Sequence, residues 1–138
     1  MKTKNSCYTA FKIVGQFDPD EVSKLLHLTP EFSLKIGELR HDGVPYDCAL
    51  WEIGRCDRYD VEVENQMRKT ISRLQDKIPL LNRIREENDV EFFLVVVPFV
   101  YVDDIAPCLA PSLDVIDFLH ATRTKMDIDL YVYHSDDA

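Results

Sequence analysis

The chain has 138 residues, with 16 Lys and Arg against 25 Asp and Glu, a formal net charge of -9. That length predicts one domain over residues 1–138, able to bury roughly two-thirds of its unfolded surface without disulfide or metal staples. The acidity argues against nucleic acid and anionic membranes as partners, because both repel a negative surface, and it favours basic proteins and solubility.

The opening Met-Lys-Thr-Lys-Asn-Ser-Cys is basic, but Thr9 and Lys12 interrupt the apolar run behind it, so no export signal is expected. The longest apolar run, Phe92 to Val102, is strand-sized and contains Pro98, well short of the roughly 20 residues of a membrane span. Cys7, Cys48, Cys56 and Cys108 each lie in or near apolar segments. Without an export signal they read as reduced core thiols of a cytoplasmic protein.

In chain order, Cys7 to Val14 alternates as a strand. Cys7, Thr9, Phe11 and Ile13 face one side, and Tyr8, Ala10, Lys12 and Val14 the other. Asp18-Pro19-Asp20-Glu21 then starts a helix: Asp18 caps, Pro19 fits the first helical position, and Glu21 can reach back. Val22, Leu25 and Leu26 give its apolar stripe, and Thr29-Pro30 predicts a stop near Leu28. Residues 31–47 read as loop. Ala49, Trp51 and Ile53 mark one face of a second strand.

A long helix is predicted from about Asp60, with acids before bases as the helix dipole prefers. Its seam is Val63, Met67, Ile71, Leu74 and Ile78, with a kink or restart at Pro79. Val90 to Val97, apolar on both faces, predicts a central strand ending at Pro98. Ser112 is placed to cap the last helix, with Leu113, Ile116 and Leu119 along its packed side. In the closing strand Met126, Ile128, Leu130 and Val132 point inward, and Asp127, Asp129, Tyr131 and Tyr133 outward. The fold class is α+β: a ferredoxin-like four-stranded sheet from two βαβ halves, with the long helix linking them.

Phe17-Asp18-Pro19, Leu28-Thr29-Pro30, the Lys35-Ile36-Gly37-Glu38 turn, Trp51-Glu52-Ile53 and Asp127-Ile128-Asp129-Leu130-Tyr131 together form a pattern. It resembles a widespread bacterial family of short stand-alone domains of unknown function, across nearly the whole chain. The resemblance implies a bacterial cytoplasmic protein and carries over no catalytic residue. The chain departs from that pattern in lacking a glycine before Leu28-Thr29-Pro30 and in carrying apolar Ile36 in the turn.

The candidate chemistry is sparse. Asp127 and Asp129 share a strand face at roughly 7 Å, a spacing that suits a divalent ion or acid–base work, but no third ligand accompanies them. His27, His41, His120 and His134 have no ligand spacing with the cysteines, and nothing orients Cys108 toward His120 as a nucleophile pair. No metal, cofactor or enzymatic activity is therefore expected. Gly15, between the first strand and the first helix, is the candidate site for a metabolite carboxylate, although Asp18 and Asp20 would repel an anion. On the sheet face opposite the helices, Tyr8, Val14, Tyr131, Tyr133 and part of the Phe92/Phe93 strand predict an aromatic patch ringed by acids. That composition suits a protein partner or self-association better than stacked bases. An immunity-type inhibitor that covers a toxin's basic active site is one concrete form; the alternative is a small-molecule regulatory domain binding at Gly15.

Overall fold

A computed structural model of the chain describes residues 5–58 and 62–134. In chain order it forms β1 (Ser6–Gln16), α1 (Pro19–Leu26), β2 (Phe32–Leu34), β3 (Ala49–Arg58), α2 (Val63–Ile71), α3 (Ile78–Glu87), β4 (Asp89–Tyr101), α4 (Leu113–Thr122), β5 (Lys125–Ile128) and β6 (Tyr131–Tyr133). The six strands make one mixed sheet in the order β2-β3-β1-β4-β5, and β6 also pairs with β4. β1 is antiparallel to both β3 and β4, β2 is antiparallel to β3, and β5 and β6 run parallel to β4.

The class is α+β as the periodicity predicts, but the crossover units are not the predicted halves, β1 to β3 and β4 to the closing strands; they are β1-α1-β2 and β3-α2-α3-β4. β3 is the antiparallel neighbour of β1, not the far end of a parallel crossover from it. The strand that runs with β1 is β2, with β3 lying between them, and β3 in turn runs with β4 across β1. β2 falls in the segment read as loop. Three residues, two of them exposed, are too few to show a period.

Pro98 does not end β4. The strand continues to Tyr101, with Pro98 paired to Cys7 of β1. Its effect falls on the other neighbour. Ile128 pairs with Val96 and Tyr131 with Phe99, the same offset on both sides of Pro98. The ladder lapses opposite the proline, which has no amide hydrogen to donate, and β5 gives way to β6 without a change of register.

Asp18 caps α1, its Oδ1 accepting from the Asp20 amide at 3.0 Å, and Pro19 occupies the first turn. The helix ends one turn of sequence before Pro30. His27 adopts the left-handed conformation at φ 53°, and the Leu28 amide donates to Ser23 O at 3.2 Å. This is the stop that helices most often make with glycine, made here by a histidine.

The long helix divides earlier than Pro79. α2 stops at Ile71, a 3-10 turn covers Gln75–Lys77, and Pro79 sits in the first turn of α3, where its missing amide costs nothing. The seam is as predicted except at Ile78, which is only half-buried: Val63, Met67, Ile71 and Leu74 are buried, and Leu81 and Ile84 continue the stripe along α3. They join Phe11, Ile13, Trp51, Ile53, Phe92 and Leu94 from the sheet in a single core. Val22 and Leu26 of α1, Met67 and Ile71 of α2, Leu81 and Ile84 of α3, and Val115 and Phe118 of α4 all belong to that cluster, so the helices cover one face of the sheet and leave the other to the strands' own side chains.

Three further expectations change. α4 buries Val115, Phe118 and Thr122 and leaves Leu113 and Ile116 exposed. The helix is apolar around most of its girth, and two stripes were available. Ile128, Leu130 and Val132, placed inward by alternation, are 43%, 53% and 55% exposed, since α4 packs against α2 and α3 rather than over the edge strands. Cys7 and Cys56 are buried thiols, but Cys48 and Cys108 are exposed.

Candidate functional site

The helix-free face is built by strand alternation and one bulge. Opposite Ala10, β3 carries two residues, Gly54 and Arg55, where regular pairing would place one. Gly54 takes φ +75°, and a Cβ there would lie 2.4 Å from Thr70 O of α2, so only glycine fits. Two groups hold the bulge. Thr70 Oγ1 donates to Gly54 O at 2.7 Å. The Glu31 carboxylate accepts from the Gly54 amide at 3.1 Å and the Arg55 amide at 2.7 Å, and is itself paired with Arg73 at 3.1 Å.

The bulge aims Arg55 across the face. Its guanidinium carbon lies 3.8 Å from the centre of the Tyr8 ring, a cation–π distance, while Nε donates to both oxygens of Asp57 at 3.2 Å. The hydrogen bond to Asp57 raises the Arg55 pKa, and the guanidinium over Tyr8 is charged at any working pH, as arginine is everywhere.

From Tyr8 an aromatic array extends over β4 to β6. Tyr8 stacks near Phe99 at 6.3 Å, Phe99 on Tyr131 at 5.4 Å and Tyr133 at 6.4 Å, and Tyr133 on Tyr101 at 5.4 Å. Register explains it: Phe99 is opposite Tyr131 and Tyr101 opposite Tyr133 in parallel strands, so their rings share a side. Toward the other end the face becomes ionic. Lys12 Nζ pairs with the buried Glu52 at 3.4 Å, and Lys125 with Glu91 at 2.6 Å beside the Phe93 ring.

The structure thus brings Tyr8, Tyr131 and Tyr133 together. Asp127, in register with Val95, lies exposed on the same face. Asp129 is exposed between β5 and β6, its amide bound to Val96 O at 2.9 Å. Among the described residues, no three His, Cys, Asp or Glu side chains converge where a metal ion could sit.

Gly15 lies elsewhere, on β1 beside a cleft of about 250 Å³ that Asp89 and Glu91 help to line. Its φ is +147°, and a Cβ would meet Asp89 O at 2.2 Å. Close strand packing therefore accounts for the glycine, and the acidic wall disfavours a carboxylate ligand. His120 does not line the groove at Cys108, which is formed by Glu62 to Asn65 and Ala110.

Sequence reasoning missed Phe99, Tyr101 and Arg55. The first two were readable as the continuation of the Phe93-Val95-Val97 phase, had Pro98 been allowed inside an edge-facing ladder. Arg55 had no signal, because a bulge resets the alternation that would place it.

Over residues 5–133 the chain matches the family described as Domain of unknown function (DUF4279). The chain belongs to this family. The match covers every strand and helix of this fold, so the aromatic face lies wholly within the DUF4279 domain. No curated protein and no solved structure matches the chain. No helix among the described residues is long and apolar enough to cross a membrane.

Proposed function

We propose that this DUF4279 domain is a non-enzymatic, protein-binding module whose contact surface is the helix-free sheet face. The observation that carries the reading is the stacked array of Tyr8, Phe99, Tyr101, Tyr131 and Tyr133 with Arg55 laid over its end. Tyr and Arg are enriched among the residues that carry most binding energy at protein interfaces: Tyr buries a large rigid area at a low cost in rotamer entropy, and Arg adds a permanent charge with a planar fork of donors. Here the bulge and the strand register hold them in place beforehand.

Acidic groups on or beside the array, Asp57 and Asp127 among them, and the net charge of -9 suit a basic partner approached by electrostatic steering. An immunity-type inhibitor of a bacterial toxin, acting in the cytoplasm, is the concrete form of this reading. The β2-β3-β1-β4 order, with each strand antiparallel to its neighbour, supports a ferredoxin-like core beneath the site.

The test is capture of the partner from a bacterial host carrying this gene, followed by calorimetry with the purified partner. Tyr131→Ala/Tyr133→Ala and Arg55→Ala are expected to weaken binding at least about tenfold, and added salt to slow association. Leu113→Ala, at an exposed apolar residue of α4 in the helix layer, should bind as the native chain does. Equal affinity for all four proteins would remove the sheet face from the interface.

A further inference from the structure

We infer that the outer edge of β5 and β6 is a self-pairing surface, and that two copies of the chain join there as a two-fold dimer with a continuous sheet. The inference shares Asp127, Tyr131 and Tyr133 with the sheet-face reading but does not depend on it; it rests on the backbone direction, the exposed apolar row and the charges of residues 127–133.

The backbone comes first. The Asp129 amide donates inward to Val96 O, and Tyr133 O accepts from the Val102 amide. Strand geometry alternates the direction of successive backbone groups, so Ile128, Leu130 and Val132 point theirs outward. No strand among the described residues pairs with that edge. The two ends of the sheet differ in this respect. β2 is only three residues long, whereas β5 and β6 continue one register across the gap, from Lys125 to Tyr133. Brevity is one of the means by which proteins blunt an edge; charged residues and prolines on the strand are others. Here the charges of Asp127 and Asp129 belong to the opposite face from the row Ile128-Leu130-Val132, and no proline lies between residues 125 and 133.

Side chains then select the register. For the helices of both copies to lie on one side of the joint sheet, each outward-pointing residue must face another. Centring the pair on Asp129 sets that carboxylate against its own copy, and centring it on Ile128 sets Asp127 against Asp129. Centring on Leu130 sets Leu130 against itself and Ile128 against Val132. It also places Asp129 opposite Tyr131 and Asp127 opposite Tyr133. Each carboxylate then faces a phenol that can donate to it, and the three apolar residues, 43–55% exposed in the single chain, cover one another. Moving the centre to Tyr131 strands Ile128 opposite His134.

The contact is small beside the roughly 20–30 residues a side of a standard interface, so the dimer should be concentration-dependent in the micromolar range. Two copies of charge -9 repel each other, so salt should tighten the dimer. Binding of a basic partner would respond in the opposite sense, which keeps the two readings separable.

Sedimentation velocity of the full chain, from micromolar to millimolar concentration at low and high salt, reads the mass directly. Twice the chain mass at high concentration, favoured by salt, is expected. Leu130→Lys puts like charges face to face on an already exposed position, and should give a folded monomer. In a Cys48→Ser/Cys108→Ser background with added oxidised glutathione as the two-electron acceptor, Leu130→Cys should form a disulfide-linked dimer and Tyr131→Cys should not. The idea fails if the native chain stays monomeric throughout. A Leu130→Lys protein that dimerises like the native chain, or cross-linking at 131 in preference to 130, would overturn it equally.

Discussion

β4 carries nearly the same residue types on its two faces, and the faces do different work. Phe92, Leu94 and Val96 lie under the helices and are at most 1% exposed. Phe93, Val95, Val97 and Phe99 lie on the other side, where no helix reaches. Val95 and Val97 are still shielded by neighbouring side chains, but Phe93 and Phe99 remain partly in water. On one side the aromatic rings of Phe11, Phe92 and Phe118 meet edge-on as core packing. On the other, Phe99 and four tyrosines stack as a surface. Aromatic content alone therefore does not mark an exposed face; the placement of the helices does.

The sharpest test of that contrast is at the point where α2 presses on the sheet. Gly54→Val must displace Thr70 O or the bulge itself, and is expected to cost about 4 kcal/mol or more, read as the urea unfolding midpoint. The adjacent phenylalanines come next. Phe92→Ala should cost about 3–5 kcal/mol, as fully buried Phe truncations do, and Phe93→Ala less than about 1.5. Equal losses would mean that the two faces are equally covered.

The cysteines give a smaller effect that depends on pH. Burial pushes the Cys7 thiol from 9.0 up to about 11. The folded chain thus keeps a proton that the unfolded chain has already released. The resulting stabilisation is complete below the unfolded pKa and is lost as pH rises through the folded one. Between those two values the native protein should lose stability more steeply than Cys7→Ala, measured by urea midpoints along a pH series. Exposed Cys48 and Cys108 should be alkylated in the native state, and Cys7 only on unfolding.

The smallest effect expected is a gain. His27 holds φ 53° at the end of α1, a conformation that costs a side-chain-bearing residue roughly 1–2 kcal/mol. His27→Gly should recover up to about 1 kcal/mol of it in thermal unfolding, the remainder going to glycine's greater freedom in the unfolded chain. A loss instead would show that the exposed imidazole contributes more than its backbone geometry costs.

Local rules made much of this legible in advance. Asp18-Pro19 announces a helix start because a carboxylate and a missing amide suit the first turn in any context. The alternation of β1 and β3 assigns Phe11, Ile13, Trp51 and Ile53 to one side, and the seam of α2 and α3 gives a core stripe, because a period of 2 or 3.6 follows from backbone geometry. Tyr8, Tyr131 and Tyr133 were placed on a common face by the same rule.

What the sequence could not decide was which surface would meet which. Periodicity says that residues share a side, but whether that side is covered depends on where the helices pack. Leu113 and Ile116 on α4, and Ile128, Leu130 and Val132 on the edge, look like core and are not. β2 exists only because β3 offers it an edge, Pro98 sits inside a strand because its missing amide faces only the short final strands, and Arg55 reaches Tyr8 because Gly54 yields to Thr70. Each is an outcome of long-range contact, and such contacts are settled only when the whole chain closes on one core.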